Sequence, residues 1–171
     1  MFNRVIKAKA RGNAVQLVGC LSSLFSLELL HPSREIYLIS PWLSKVPLIS
    51  NHIGQFRAVA SELNKRELHL GDILMLLAEK GSHIYILCRP HHPYTEEFLK
   101  PLLASSRNIE CRRSDTLHEK GLICDHFYLR GSMNFTYAGV NLNDESVELT
   151  TQSSEVARAL VEAKLAWKGL A

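Results

Sequence analysis

The chain has 171 residues, 46% of them hydrophobic, and a formal charge of +3 with histidines neutral. That suits one core spanning 1–171 as a single domain, and it excludes two full domains and the strong charge of a nucleic-acid-coating protein. The four cysteines, Cys20, Cys88, Cys111 and Cys124, have no CxxC or zinc-like spacing, which excludes a disulfide framework or zinc module and points to free thiols in a reducing compartment.

The chain opens on a basic run, Arg4, Lys7, Lys9 and Arg11, which reads as solvated surface or as a rim that steers phosphate. Ala14 to Cys20 superficially resembles an export signal. Its apolar core is too short, Gln16 interrupts it and Glu28 argues against a longer span, so cytoplasmic residence without a membrane segment is expected. Val15, Leu17, Val18, Leu21, Leu24, Phe25, Leu29 and Leu30 predict a buried helix over 13–30, stopped by His31-Pro32-Ser33. Glu35 to Ser40 predicts a strand ended by Pro41. Residues 42–64 read as a loop with a short helix around 55–62.

Asp72 is the expected N-cap of a helix over 73–81 that ends at Gly81. His83 to Cys88 predicts a second strand, closed by Arg89-Pro90, followed by a helix over 95–105 and a strand over 108–112. Two strands within 121–131 are expected to meet in a tight turn near Asp125-His126. A strand over 147–151 precedes a last helix, capped by Ser153 or Ser154 and ended by Gly169. Alternating strands and helices imply βαβ crossovers, and the hairpin adds antiparallel pairs. The expected fold is therefore mixed α/β: a largely parallel sheet with helices on both faces.

Within seventeen positions the chain sets His118, Lys120, Asp125, Ser132 and Asn134. A phosphodiester repels nucleophiles and has a poor leaving group, so its cleavage needs charge neutralisation, a positioned nucleophile and a proton donor. His118 and Lys120 lie two apart, as do Ser132 and Asn134, so each pair shares a face of an extended segment. Lys120 can neutralise a non-bridging oxygen while Ser132 and Asn134 donate hydrogen bonds. Neutral His118 can attack phosphorus and form a phosphohistidine. Asp125 is expected to brace the turn. Arg112 and Arg113, just before His118, are candidate substrate contacts on a phosphate-steering rim. No metal site or cofactor is expected. His91-His92 read as ordinary loop histidines, with a metal or phosphate contact as the alternative. Trp42 and Tyr94 read as aromatic packing near the core, with base stacking as the alternative.

The pattern His118-x-Lys120-x4-Asp125 followed by Gly131-Ser132-x-Asn134 resembles the signature of the phospholipase D superfamily, especially its small single-motif nucleases. Ile36 to Trp42 and Ile84 to Pro90 look like that family's early core strands, and Ile109 to Thr151 follows its active-site half. The layout, with Ser40-Pro41-Trp42 after the first strand, also resembles small proteins of bacterial DNA-modification and defence systems, which implies a larger complex. The resemblance implies that Glu145 orients His118. It also implies that two motif copies act together, one histidine as nucleophile and the other protonating the leaving oxygen and then activating water. No other histidine here has a lysine two residues on, so a symmetric homodimer is expected to complete the site. One departure stands out: five residues separate Asp125 from Gly131, one fewer than is usual in the family. A tighter turn at Asp125-His126 would absorb the deletion without inverting the downstream side chains.

The resulting expectation is a metal-independent phosphodiesterase, a nuclease on DNA or RNA. Two alternatives are a phospholipase or phosphatidyl transferase and a catalytically idle nucleic-acid-binding subunit of a larger complex.

Overall fold

A computed structural model describes residues 3–9, 14–52, 54 and 65–169. The elements in chain order are β1 (Asn3–Ala8), α1 (Ala14–Leu30), β2 (Glu35–Ile39), β3 (Pro47–Ser50), β4 (Glu67–His69), α2 (Leu70–Glu79) and β5 (His83–Cys88). They continue with α3 (Pro93–Ser105), β6 (Ile109–Arg113), β7 (Gly121–Ile123), β8 (Tyr128–Gly131), α4 (Tyr137–Asn141), β9 (Glu145–Thr150) and α5 (Ser153–Gly169). The helix expected around 55–62 and the basic side chain of Arg11 lie outside the described residues.

Seven strands form one mixed sheet in the order β1-β9-β8-β7-β2-β5-β6, and β3 pairs with β4 in a small separate ribbon. The mixed α/β class is as expected, but "largely parallel" is not. Only β2/β5 and β5/β6 are parallel; the other four pairings are antiparallel. The reason lies in the connections. A parallel pair needs a long crossover, which α2 and α3 supply between β2, β5 and β6. Beyond β6 the chain returns through a tight turn and then through the five-residue α4, so the strands there run back and forth.

Strands β2 and β5 are buried on both faces, which is why they read as continuous apolar runs. Ile36, Leu38, Ile84, Ile86 and Cys88 meet Leu17, Leu21, Phe25, Leu29, Ile73 and Leu77 of α1 and α2. At ~1.5–3 kcal/mol for each large apolar side chain fully buried, this layer dominates the stability. On the opposite face Tyr37 stacks on Tyr85 with centroids 4.8 Å apart, and Trp167 of α5 meets Tyr85 edge-on at 5.1 Å. Helices therefore cover both faces, α1–α3 on one and α5 on the other.

The alternation in β1 escapes a sequence reading because only Ile6 and Ala8 point inward; Arg4, Val5 and Lys7 are exposed. The strand pairs with β9 from Asn3↔Thr150 to Ala8↔Glu145. Helix α2 starts three residues earlier than Asp72 implied, with His69 as N-cap. Asp72 sits at N3 instead, its Oδ2 accepting from the His69 backbone N–H at 3.0 Å and its Oδ1 2.5 Å from Lys65 Nζ. The four cysteines are unpaired. No helix among the described residues is long and apolar enough to cross a membrane.

Candidate active site

Strand direction gathers the motif. β7 and β9 run opposite to β2, β5, β6 and β8. The carboxyl ends of β2, β5 and β8 therefore lie at the same end of the sheet as the amino ends of β7 and β9. Ser40 follows β2, Arg89 follows β5, His118 to Lys120 precede β7, Ser132 to Asn134 follow β8, and Glu145 opens β9. Ligand sites in open α/β sheets favour such an end, where loops carry side chains on a rigid base.

His118 is exposed, and its ring is held by a residue the motif does not contain. A terminal guanidinium nitrogen of Arg89 lies 3.1 Å from both Nδ1 and Nε2 of His118. Being equidistant from both, it does not make one linear bond to a single lone pair. The Nε of Arg89 donates to the Leu117 carbonyl at 2.7 Å, and its backbone N–H donates to Pro41 O at 3.0 Å. Lys120 Nζ donates to the His118 carbonyl at 2.7 Å and lines a cavity of about 500 Å³ shared with Ile39, Tyr128, Arg130 and Glu148. Neither Arg89 nor Lys120 is in a salt bridge with a carboxylate of the described residues.

The hairpin brings the second half of the motif alongside the first. β7 and β8 pair in unbroken register, Gly121↔Arg130, Leu122↔Leu129 and Ile123↔Tyr128. Cys124 N–H to Phe127 O at 3.1 Å closes the turn around Asp125-His126, and Gly131 N–H to Lys120 O at 3.3 Å extends the ladder. The one-residue shortening is thus taken up in the turn. Gly131 is required by geometry: its φ is +154°, and a Cβ there would lie 2.1 Å from the Ser146 carbonyl oxygen.

Ser132 is tied to β9 rather than presented to a ligand. Its hydroxyl donates to Glu145 Oε2 and accepts from the Ser146 N–H at 3.0 Å, while its own N–H donates to Ser146 O at 3.0 Å. Glu145 is buried, and Asn143 Nδ2 approaches its other oxygen at 3.4 Å. The carboxylate therefore braces Ser132, and the group on the His118 ring is Arg89, not Glu145. Asn134 Oδ1 lies 3.4 Å from Ser40 Oγ, and its amide hydrogens are the donors left for a ligand.

Three further expectations separate from the site. Asp125 stands at the far end of β7, its Oδ2 accepting from Arg34 N–H at 2.9 Å and its N–H donating to Ser33 Oγ at 3.0 Å. These bonds tie the turn to the segment before β2. Arg112 lies over the Trp167 ring at 4.6 Å and donates to the Trp167 carbonyl, so it docks α5. Arg113 makes a two-pronged pair with Glu96 at 3.0 and 2.7 Å. That hydrogen-bonded carboxylate raises the guanidinium pKa and leaves its charge internally neutralised. Neither arginine is a ready substrate contact.

Trp42 and Tyr94 also depart from expectation: they are 40% and 67% exposed rather than packed in the core. Among the described residues no group of three or more His, Cys, Asp or Glu is arranged to hold a metal ion. Sequence reasoning missed Arg89 and Ser40. Their signal was position, since each directly follows a strand whose carboxyl end meets the site.

The family described as "Cardiolipin synthase, PLD-like domain" matches residues 55–167, about two thirds of the chain. No curated protein sequence matches significantly. The fold is similar to that of Nuc from Salmonella typhimurium, a phospholipase D family member. That likeness has a TM-score of 0.61 at 15% identity and covers 98% of this chain and 94% of Nuc. NucT from Helicobacter pylori is similar with TM-score 0.59 at 14% identity, covering 95% of this chain and 93% of that one. The archaeal chromatin protein TrmBL2, with "a novel mode of DNA binding", gives TM-score 0.56 at 18% identity; nearly all of this chain, 99%, spans 53% of it.

Proposed function

Because the chain belongs to the phospholipase D-like family, we propose that it hydrolyses phosphodiesters of DNA or RNA through a phosphohistidine, at a site shared by two copies of the chain. The observation that carries this reading is charge. Arg89 and Lys120 converge with His118 at one sheet end, the two cations resting on backbone carbonyls, not carboxylates, and the Arg89 guanidinium on the His118 ring. A phosphodiester supplies the missing anion, and charge-assisted bonds from a guanidinium and an ammonium are strong in such a setting.

In the first step a neutral ring nitrogen of His118 attacks phosphorus. The P–N bond forms as the P–O ester bond breaks, and the departing alkoxide takes a proton from the protonated His118 of the second copy. In the second step that imidazole, now neutral, takes a proton from water as the water oxygen attacks phosphorus. The P–N bond breaks, a phosphomonoester leaves, and both histidines return to their starting states. Lys120, Arg89 and the Asn134 amide hold the non-bridging oxygens in both steps. His118-x-Lys120 occurs once in the chain, so the second histidine is assigned to a symmetry-related copy. Nucleic acid is favoured by the basic exposed edge of β1 and by the DNA binding named for TrmBL2. The larger assembly in which it would act is a DNA-modification or defence complex.

The test is cutting of end-labelled DNA and RNA in excess EDTA by the native chain and by His118→Ala. Metal-independent cutting that His118→Ala lacks is expected; complete loss of cutting in EDTA would sink the mechanism. Sedimentation should show a dimer, and mixing His118→Ala with Lys120→Ala subunits should restore nothing, since each mixed site lacks groups from both halves. The second reading, phosphatidyl transfer, is favoured by the family description itself, which names a cardiolipin synthase. Turnover of phosphatidylglycerol vesicles, with no cutting of nucleic acid, would select it.

A further inference from the structure

A row of three rings stands on the loop after β2 and the start of α3. Trp42 and His92 have centroids 5.8 Å apart, and His92 and Tyr94 have centroids 5.9 Å apart. Trp42 and Tyr94 are 40% and 67% open to solvent; of the other Phe, Tyr and Trp side chains among the described residues only Tyr137, at 51%, is comparably exposed. Their placement is rigid. The hydroxyl of Thr95, fully buried, accepts from the Leu43 N–H at 3.0 Å, donates to the Leu43 carbonyl at 3.2 Å and lies 3.1 Å from His92 Nδ1. One side chain thus locks the loop carrying Trp42 to the start of α3, which carries His92 and Tyr94. His91 enters that helix through a left-handed turn, φ +62°, a conformation that non-glycine residues adopt only when their surroundings impose it.

The row also abuts the catalytic groups. The Trp42 carbonyl accepts from Ser40 Oγ at 2.6 Å, and the same hydroxyl reaches Asn134 Oδ1 at 3.4 Å. Pro41 O accepts from the Arg89 N–H. Trp42 is therefore one residue from the loop that meets Arg89 and two from the serine that meets Asn134. An exposed ring on a loop whose backbone meets Ser40 and Arg89 suits the base of an adjoining nucleotide, since every base offers a flat face to stack on.

We propose that Trp42, His92 and Tyr94 form a stacking platform for an unpaired nucleobase beside the scissile phosphate, so that the substrate is single-stranded nucleic acid. A duplex turns its bases inward, away from a ring set beside the backbone, and so cannot use the platform without opening. The inference deepens the nuclease reading and rests on it for the identity of the phosphate site.

The chain has two tryptophans, and Trp167 is buried between α5 and the sheet, so quenching of intrinsic fluorescence by a base reports Trp42. His118→Ala protein, which binds without cutting, is titrated with a thymidine 12-mer, with a 12-mer of the same phosphates and abasic sugars, and with a duplex. Quenching by the thymidine strand alone is expected, with about tenfold tighter binding than the abasic strand. Trp42→Leu should erase that preference and the quench, Trp42→Tyr should keep part of the preference, and Trp167→Phe should change neither. Equal affinity for the three ligands, or a preference that survives Trp42→Leu, would overturn the platform. Failure of the nuclease reading shows separately, as absence of cutting by the native chain in EDTA.

Discussion

At the turn end of the β7–β8 hairpin, Glu28, Ser33, Cys124, Asp125 and His126 gather side chains as reactive by type as those at its open end, where His118, Lys120, Arg89, Ser132 and Asn134 meet. The difference lies in how they are used. At the turn end the partners are internal: Glu28, 1% exposed, accepts from Ser33 N–H at 3.0 Å, from Ser33 Oγ at 3.1 Å and from Cys124 Sγ at 3.1 Å. His126 Nε2 lies 2.9 Å from the His31 carbonyl, and burial pushes the Cys124 thiol pKa up, which makes it inert. At the open end the cations rest on carbonyls and remain uncompensated. A cluster is a fold device when its charges are answered within the chain, and a candidate site when they are not.

Removing the nucleophile should break this contrast most sharply. His118→Ala is expected to lower kcat at least about 10³-fold, with a melting temperature within about 2 °C of the native chain, because the side chain is exposed. Arg89→Ala should follow with a loss of about 10²-fold, and Arg89→Lys should recover part of it, a point charge replacing a fork. If Arg89 only props the His118 ring, KM will stay fixed and Arg89→Lys will recover nothing. Steady-state rates on a labelled oligonucleotide, beside thermal melts, decide both.

Much of this contrast was legible in the residues, and the illegible part has physical causes. Strands β2 and β5 and helices α1, α3 and α5 announce themselves by apolar periodicity. The motif gave His118, Lys120 and Asn134 because their spacing is local. Arg89 and Ser40 are brought to the site by sheet order, over separations of 29 and 94 residues, and no local pattern encodes that. Glu145 shows the same limit. Its position suggested a histidine partner, but the pairing of β8 with β9 sets it on Ser132. Strands β3 and β4 escaped notice because only four and three residues long, and because Pro47 opens the first.

The turn end is expected to show the reverse behaviour. Glu28→Ala leaves three buried donors without an acceptor and should destabilise the fold by about 1–3 kcal/mol, read as a lower urea midpoint. Gly131→Ala, at the open end of β8, should cost about 2 kcal/mol or more, because the new Cβ meets the β9 main chain. Asp125→Ala should cost about 1 kcal/mol through the lost acceptor of the Arg34 N–H. Its kcat should stay native at a temperature where the variant is folded; a fall in kcat would move Asp125 into the chemistry.

The smallest expected effect lies away from both ends, where charge is again answered internally. Burial opposes ionisation of Asp72, but the Lys65 ammonium, the His69 N–H and the neighbouring charges outweigh it and hold its carboxyl below the usual range. A carboxyl whose folded pKa is depressed stabilises the fold above its unfolded pKa. That contribution is lost as pH falls through the folded value. Asp72→Asn keeps the side-chain oxygen that caps α2 and removes the charge. Its stability should therefore fall below native by under about 1 kcal/mol at neutral pH and converge with native in acid. Urea midpoints across pH test this. A gap that persists unchanged into acid would assign the effect to capping geometry alone, whereas the closing gap expected here identifies it as the Lys65–Asp72 charge.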